Sequence, residues 1–274
     1  MKKYIFLLLL VAFVFFYANS KFSGNGVLRI GVECDYPPNN WEVSEASKYN
    51  FPIANHEGFY ADGYDLQIAN FVAQELGAKL EVKKYAWEDI PKALHRREID
   101  AIFSGMLDTE ERRKNADFSE PYDVSTTEYT IVVNKRSPYV NAKTINDFSG
   151  ARIIAQKGTH LNDAIDQIPG VIHGEPTETI TEMINNIVNY KVDGIVINLD
   201  TGRSYERTYR NLLLIRFPEG EGFHLDFNGI CAGVHKGNNE LREKINRALN
   251  KLTPRERQRI MDRVISRLWS VTDR

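Results

Sequence analysis

Arg112 stands near the end of the run Asp100-Ala101-Ile102-Phe103-Ser104-Gly105-Met106-Leu107-Asp108-Thr109-Glu110-Glu111-Arg112-Arg113, which is followed by Asp117-Phe118-Ser119-Glu120-Pro121-Tyr122. The order reads as a short buried strand, a turn of small residues, and a helix start that carries an arginine in its first turns. A guanidinium fork matches a carboxylate through paired hydrogen bonds, and peptide N–H groups at a helix N-terminus add donors for the same anion. The simplest ligand for such a place carries a carboxylate. A surface ion pair inside the acidic helix start is the competing reading of the same arginine. No Ser/His/Asp set, His-Glu-x-x-His spacing or phosphate loop is visible, so no catalytic residue, metal ligand or cofactor is expected.

The elements that must position Arg112 follow from periodicity. Val27 to Val32 reads as a strand, and Pro37-Pro38-Asn39-Asn40 and the polar stretch to Asp62-Gly63 as turns and loop. Asp65 is expected to cap a helix bearing Leu66, Ile68, Ala69, Phe71, Val72 and Leu76, ended by Gly77. Lys79 to Lys84 is a strand, Trp87 to Arg97 a short helix, and Ile99 to Ser104 a strand. This alternation predicts right-handed βαβ units and a largely parallel sheet. Pro121 to Thr127 interrupts it.

A second α/β series begins with strands Glu128 to Asn134 and Ala151 to Gln156, the latter running into Lys157-Gly158-Thr159-His160. The helix Thr179 to Tyr190 and the strands Gly194 to Leu199 and Leu212 to Phe217 continue it, with a helix near Arg203 to Arg210. The strand Ile230 to Val234 and helices Asn239 to Lys251 and Pro254 to Trp269 close the chain. Two series, split once and rejoined, imply two lobes crossed twice by the backbone.

With 274 residues the chain is long enough for two modest domains. Its net charge of -2, with Lys and Arg dispersed, gives no electrostatic case for nucleic acid. Lys2-Lys3, the apolar run Tyr4 to Ala18 and the small residues Ala18-Asn19-Ser20 have the order of a secretory signal peptide, shorter than a spanning helix. Export with cleavage after Ser20 is the expectation, and an uncleaved N-terminal anchor is the alternative. Cys34 and Cys231 both fall in apolar strand-like runs, which favours buried free thiols over a disulfide.

From about Val27 to Trp269 the chain resembles the extracytoplasmic solute-binding proteins of polar amino-acid ABC importers, bacterial solute-binding protein family three. The resemblance rests on Ile30-Gly31-Val32-Glu33-Cys34-Asp35-Tyr36-Pro37-Pro38, Gly63-Tyr64-Asp65, Trp87 with Pro91 and Leu94, the Asp100 to Tyr122 segment, Lys157-Gly158-Thr159, and Val234-His235-Lys236-Gly237-Asn238. It implies an α/β, two-lobe type II periplasmic-binding-protein fold with two hinge crossovers near Asp123 to Thr127 and Gly222 to Phe227. The implied division is a signal peptide at 1–20, a linker at 21–26, a first lobe from 27–125 and 226–274, and a second from 126–225.

By the same resemblance Arg112 holds the ligand's α-carboxylate, with backbone N–H groups of Gly105 and of the Gly158 to His160 turn, Thr159 and His160 included, as further donors, and Ser104 is a further ligand-binding candidate. Tyr36 and Trp87 flank the ligand's side chain with aromatic faces, and Glu33 is the candidate partner of a basic side chain. Two positions depart from the family pattern. Leu107 replaces a hydroxyl residue, and Asn198 stands where an aspartate pairs with the α-ammonium. Asp200 is a candidate replacement if the strand persists that far, because residues two apart share a strand face; the competing reading makes it a helix N-cap. The implied partners are a small-molecule ligand, an amino acid or related carboxylate, and an ABC permease in the membrane, with the protein itself a monomer. A cleft enzyme resembling cyclohexadienyl dehydratases, with Glu33 or His160 as the acid, and an extracytoplasmic sensor domain are the alternatives.

Overall fold

In the computed structural model of the chain the described residues are 26–123, 128–224 and 229–272. The signal peptide expected at 1–20, most of the 21–26 linker, and the lobe boundaries placed at 125/126 and 225/226 lie outside them, as do most of the two expected hinge segments.

The first sheet runs, edge to edge, Lys79–Lys84, Val27–Val32, Ala101–Ile102, Ile230–His235 and Ala116–Asp123. Its first three strands are parallel, and Ile230–His235 pairs antiparallel with both neighbours. The second sheet repeats the plan with Ile172–His173, Arg152–Ile154, Gly194–Asn198, Tyr129–Asn134 and Leu212–Ile215. There Tyr129–Asn134 is the antiparallel member. In each sheet the antiparallel strand is the one that enters just after the chain has crossed over, so the two crossings stitch each sheet into the other's sequence. The Tyr129–Asn134 strand is buried along its whole length, as expected for a strand covered on both faces.

Helix Tyr64–Glu75 lays Leu66, Ile68, Ala69 and Val72 against Leu28, Ile30 and Val32 of the first sheet and Leu241 and Ile245 of the Asn239–Leu249 helix. Each fully buried Leu, Ile or Val there contributes about 1.5–3 kcal/mol relative to exposure. In the second lobe, helix Ile180–Val188 starts with a capping box in which Thr179 Oγ1 accepts from Glu182 N–H and Glu182 accepts from Thr179 N–H. Its buried Ile180, Met183, Ile184 and Ile187 form the apolar stripe.

Several expectations are corrected. The supposed loop between the first strand and the first helix is a four-stranded antiparallel sheet, Asp35–Tyr36, Asn40–Val43, Tyr60–Asp62 and Phe51–Pro52 in spatial order. Asp65 is not the N-cap of the first helix. Gly63 holds that position, and the carbonyls of Pro38 and Asn39 accept from the N–H groups of Tyr64 and Asp65. A Cβ at Gly63, where φ is 138°, would lie 2.1 Å from Asn39 O. The Asp65 carboxylate turns inward instead, accepting from Asn40 Nδ2 at 2.8 Å and Tyr122 OH at 2.7 Å. The helix expected over Arg203 to Arg210 spans Leu199–Thr208, and the strand before it stops at Asn198. Both cysteines are buried and free. Among the described residues no helix is long and apolar enough to cross a membrane.

Candidate functional site

The paired strand Ala101–Ile102 ends just before Phe103 and Ser104, both buried, and the backbone then turns through Gly105 at φ 63°. That glycine is required twice: its φ is in the left-handed region, and a Cβ would sit 2.5 Å from the Tyr36 ring. Tyr36 therefore packs directly on the turn. Thr109 caps the four-residue helix Glu110–Arg113, accepting from Arg112 N–H. Arg113 is drawn outward by a bidentate pair with Asp108, at 2.6 and 2.7 Å, and the neighbouring Arg112 goes the other way.

The guanidinium of Arg112 donates to the carbonyls of Leu107 at 3.1 Å and Gly158 at 3.3 Å and lies 5.2 Å from the Trp87 ring centroid. No ion pair to a carboxylate is found for it among the described residues, whereas Arg29, Arg113, Arg203 and Arg267 each lie within 3.0 Å of one. Burial brings its pKa down to about 10, which leaves it charged at neutral pH. A desolvated cation whose bonded partners are neutral carbonyls and an aromatic face is a seat for an anion.

Glu33 is placed by a different device. Cys34 has φ 61°, a left-handed conformation costing a β-carbon residue about 1–3 kcal/mol, and Asn40 Oδ1 holds it by accepting its N–H at 2.7 Å. Asn40 is in turn fixed by Asp65. Glu33 N–H donates to Ser104 Oγ at 3.0 Å, tying the bend to the Gly105 turn. Glu33 is 5% exposed, and its carboxyl accepts a hydrogen bond from Gln156 of the second lobe. Burial, with Asp35 adding repulsion, pushes its pKa up to about 8 against the opposing effects of Gln156 and Lys84.

Both residues line one cavity, together with Tyr36, Trp87, Ser104, Gly105, Leu107, Tyr129, Gln156, Thr159, His160, Leu161, Asn198 and Ile230. The lobes meet around it. Trp87 Nε1 donates to Gly158 O at 3.0 Å, Asp35 accepts from Thr181 N–H at 3.0 Å and Thr181 Oγ1 at 2.6 Å, and Lys157 pairs with Glu88 at 2.9 Å. Burial and then the charge of Arg112 hold the His160 imidazole neutral, with its pKa down to about 4.

Nine of the ten candidate residues read from the sequence border this cavity, namely Glu33, Tyr36, Trp87, Ser104, Gly105, Arg112, Thr159, His160 and Asn198. Asp200 does not. The strand ends at Asn198, so strand parity no longer applies, and Asp200 sits in the first turn of the following helix paired with Arg203 at 3.0 Å. Its competing reading as an N-cap is also replaced, since Asn198 occupies that position. Thr159 Oγ1 donates to Gln156 O at 2.7 Å rather than capping its helix.

Four lining residues were not anticipated, Leu161 on the helix after the Gly158 turn among them. Gln156 precedes the Lys157-Gly158-Thr159 turn, and only its place just before that turn hinted at the cleft. Tyr129 stands directly opposite Asn198 in the strand register, a relation visible only once the antiparallel pairing is known. Ile230 arrives with the returning strand.

A model of the bacterial extracellular solute-binding proteins, family 3, matches residues 28–266. The chain is 26% identical over 254 residues to ABC transporter arginine-binding protein 1 of Escherichia coli (strain K12), covering 91% of this chain and 92% of that protein. It is 22% identical over 231 residues to the L-cystine-binding protein TcyJ of the same strain, covering 84% and 79%. Among solved structures, the substrate binding protein of an amino acid ABC transporter superposes with a TM-score of 0.73 at 27% identity, covering 87% of this chain and 98% of that one.

Proposed function

The chain belongs to the bacterial extracellular solute-binding proteins, family 3, and from that premise we propose that it captures an amino acid between its two lobes for delivery to an ABC permease. One observation carries the reading: a desolvated arginine with no carboxylate partner among the described residues faces a cavity that both lobes enclose. Arg112 receives the α-carboxylate, helped by the peptide groups of the Gly105 turn and of the Gly158 to His160 turn. Tyr36 and Trp87 hold the side chain, and Glu33 receives its basic or polar end. Ser104 acts through Glu33, whose backbone it anchors. Leu107 and Asn198 border the α-ammonium end without supplying a charge, and Asp200 is dropped from the set because it lies outside the cavity.

The relatives are solute-binding proteins rather than enzymes, and this chain is read as binding without turnover. It acts outside the cytoplasm, as its family does, exported by the 1–20 signal peptide or held by it as an anchor. It works as a monomer, with no nucleic acid partner. The lobes comprise 27–125 with 226–274, and 126–225, hinged where the chain crosses between them. A thermal-shift screen of the purified protein against the common amino acids and simple carboxylates tests the proposal. A ligand at 100 times its Kd is expected to stabilise by about 2.7 kcal/mol. A panel that produces no shift overturns it.

A further inference from the structure

Glu33 is held from both sides of the cleft. Its backbone is fixed within the first lobe by Ser104 Oγ, and its carboxyl is held by a side chain of the second. The two N–H bonds of Gln156 are both committed, one to Glu33 Oε1 and one to the carbonyl of Glu178 at 3.1 Å. Because both partners are acceptors, the amide orientation is settled, with the NH2 facing them. A guanidinium or ammonium at this end of the cavity meets the Glu33 carboxyl, held in place by that amide.

We propose that Gln156 is a positioning residue that sets ligand selectivity: reaching across the cleft, its amide fixes the Glu33 carboxyl as the acceptor for a cationic side-chain end, so that basic amino acids are preferred over neutral isosteres. The proposal rests on the reading of Glu33 as the partner of a basic side chain and adds what makes Glu33 competent for it. The charged and titratable groups facing Glu33 are Asp35, whose repulsion disfavours the carboxylate, and Lys84, which favours it. Cys34 and Tyr205 are held neutral by burial. Against burial and Asp35, the Gln156 amide is one of the few influences that favour the ionised form, and unlike Lys84 it contacts the carboxyl directly. Without it, the acid keeps its proton to higher pH and attracts a cation less. Glu33 also borders the wider groove lined by Asp35, Trp41, Glu42 and Tyr205, which gives an exchanging proton a path to solvent.

The test is calorimetric titration of arginine and citrulline, a charged ligand and its neutral isostere, into wild type, Gln156→Ala and the nearly isosteric Gln156→Met, from pH 6 to 9. The expected result is that both variants lose about tenfold for arginine and less than about twofold for citrulline. The rise of arginine affinity with pH should also move to higher pH in both. Equal losses for the two ligands, or an unmoved pH profile, overturn the proposal, because a structural role alone would weaken both. If the wild type itself prefers arginine but the variants keep that preference, this inference fails while the reading of Glu33 stands. If the wild type shows no preference, both fail.

Discussion

The two ends of the cavity bury opposite charges, and burial treats them differently. At one end the Arg112 guanidinium loses solvent, and its pKa falls only to about 10, so it remains charged at any physiological pH. At the other end the Glu33 carboxyl loses solvent, and its pKa climbs to about 8, so near neutrality it is mostly protonated until a cation arrives. The pocket thus has one permanent charge and one conditional charge. On the proposed reading, a carboxylate is demanded of every ligand, and a basic side chain is rewarded only with the loss of a proton. Their supports differ in the same sense: Arg112 rests on backbone carbonyls, whereas Glu33 depends on a side chain from the opposite lobe.

The most damaging substitution is expected at the permanent charge. Arg112→Ala should lower affinity for any carboxylate ligand by roughly 2 to 5 kcal/mol, or about 30-fold to several thousand-fold, because the ligand's carboxylate is left buried and unpaired. Unchanged affinity by calorimetry would remove the anchor from this account.

At the conditional end, Glu33→Gln should reduce the preference for arginine over citrulline by tens of fold while leaving citrulline within about twofold. The attraction across a partly screened site is worth a few kcal/mol at most. Retention of the preference in this variant would mean that the basic end is recognised elsewhere.

The same burial makes a smaller prediction about the ligand-free protein. Because the folded-state pKa of Glu33 is raised from 4.5 to about 8, the native state retains a proton that the unfolded chain has lost throughout that window. Stability therefore falls as pH rises between those values, and Asp65, raised from 3.8 to about 7, acts in the same direction over its own window. Thermal denaturation of wild type against Glu33→Gln should show wild type losing ground as pH rises from 5 to 8. Parallel curves would contradict the raised carboxyl. The smallest effect belongs to Asp200→Asn, which should change amino-acid affinity by less than about twofold, since Asp200 pairs with Arg203 outside the cavity. A large, selective loss for α-amino acids would restore it to the ammonium site.

What could be read from the sequence was local. The turn at Gly105, the arginine after it and the aromatic residues Tyr36 and Trp87 sit in short runs whose residue types state their geometry. Strand and helix periods located most of the longer elements, but the eight-residue strand Ala116–Asp123, which contains Pro121 and shows no regular alternation, was not read as one. The four-stranded sheet between Asp35 and Asp62 was missed because its strands are two to four residues long and carry no alternation. Asp65 was misread because an acid at a helix start usually serves the helix, whereas here loop carbonyls already satisfy the N–H groups and Tyr122 and Asn40 draw the carboxylate into the core. Gln156 escaped notice because its partner lies 123 positions away and the contact exists only where the lobes meet.

The contrast between the two ends is tested most directly by counting protons. Calorimetric titration of arginine at pH 7 in buffers of different ionisation enthalpy measures how many are exchanged on binding. Capture of a basic side chain by a mostly protonated Glu33 predicts release of about one proton in the wild type and close to none in Glu33→Gln. Arginine binding without proton release in the wild type would contradict the conditional charge.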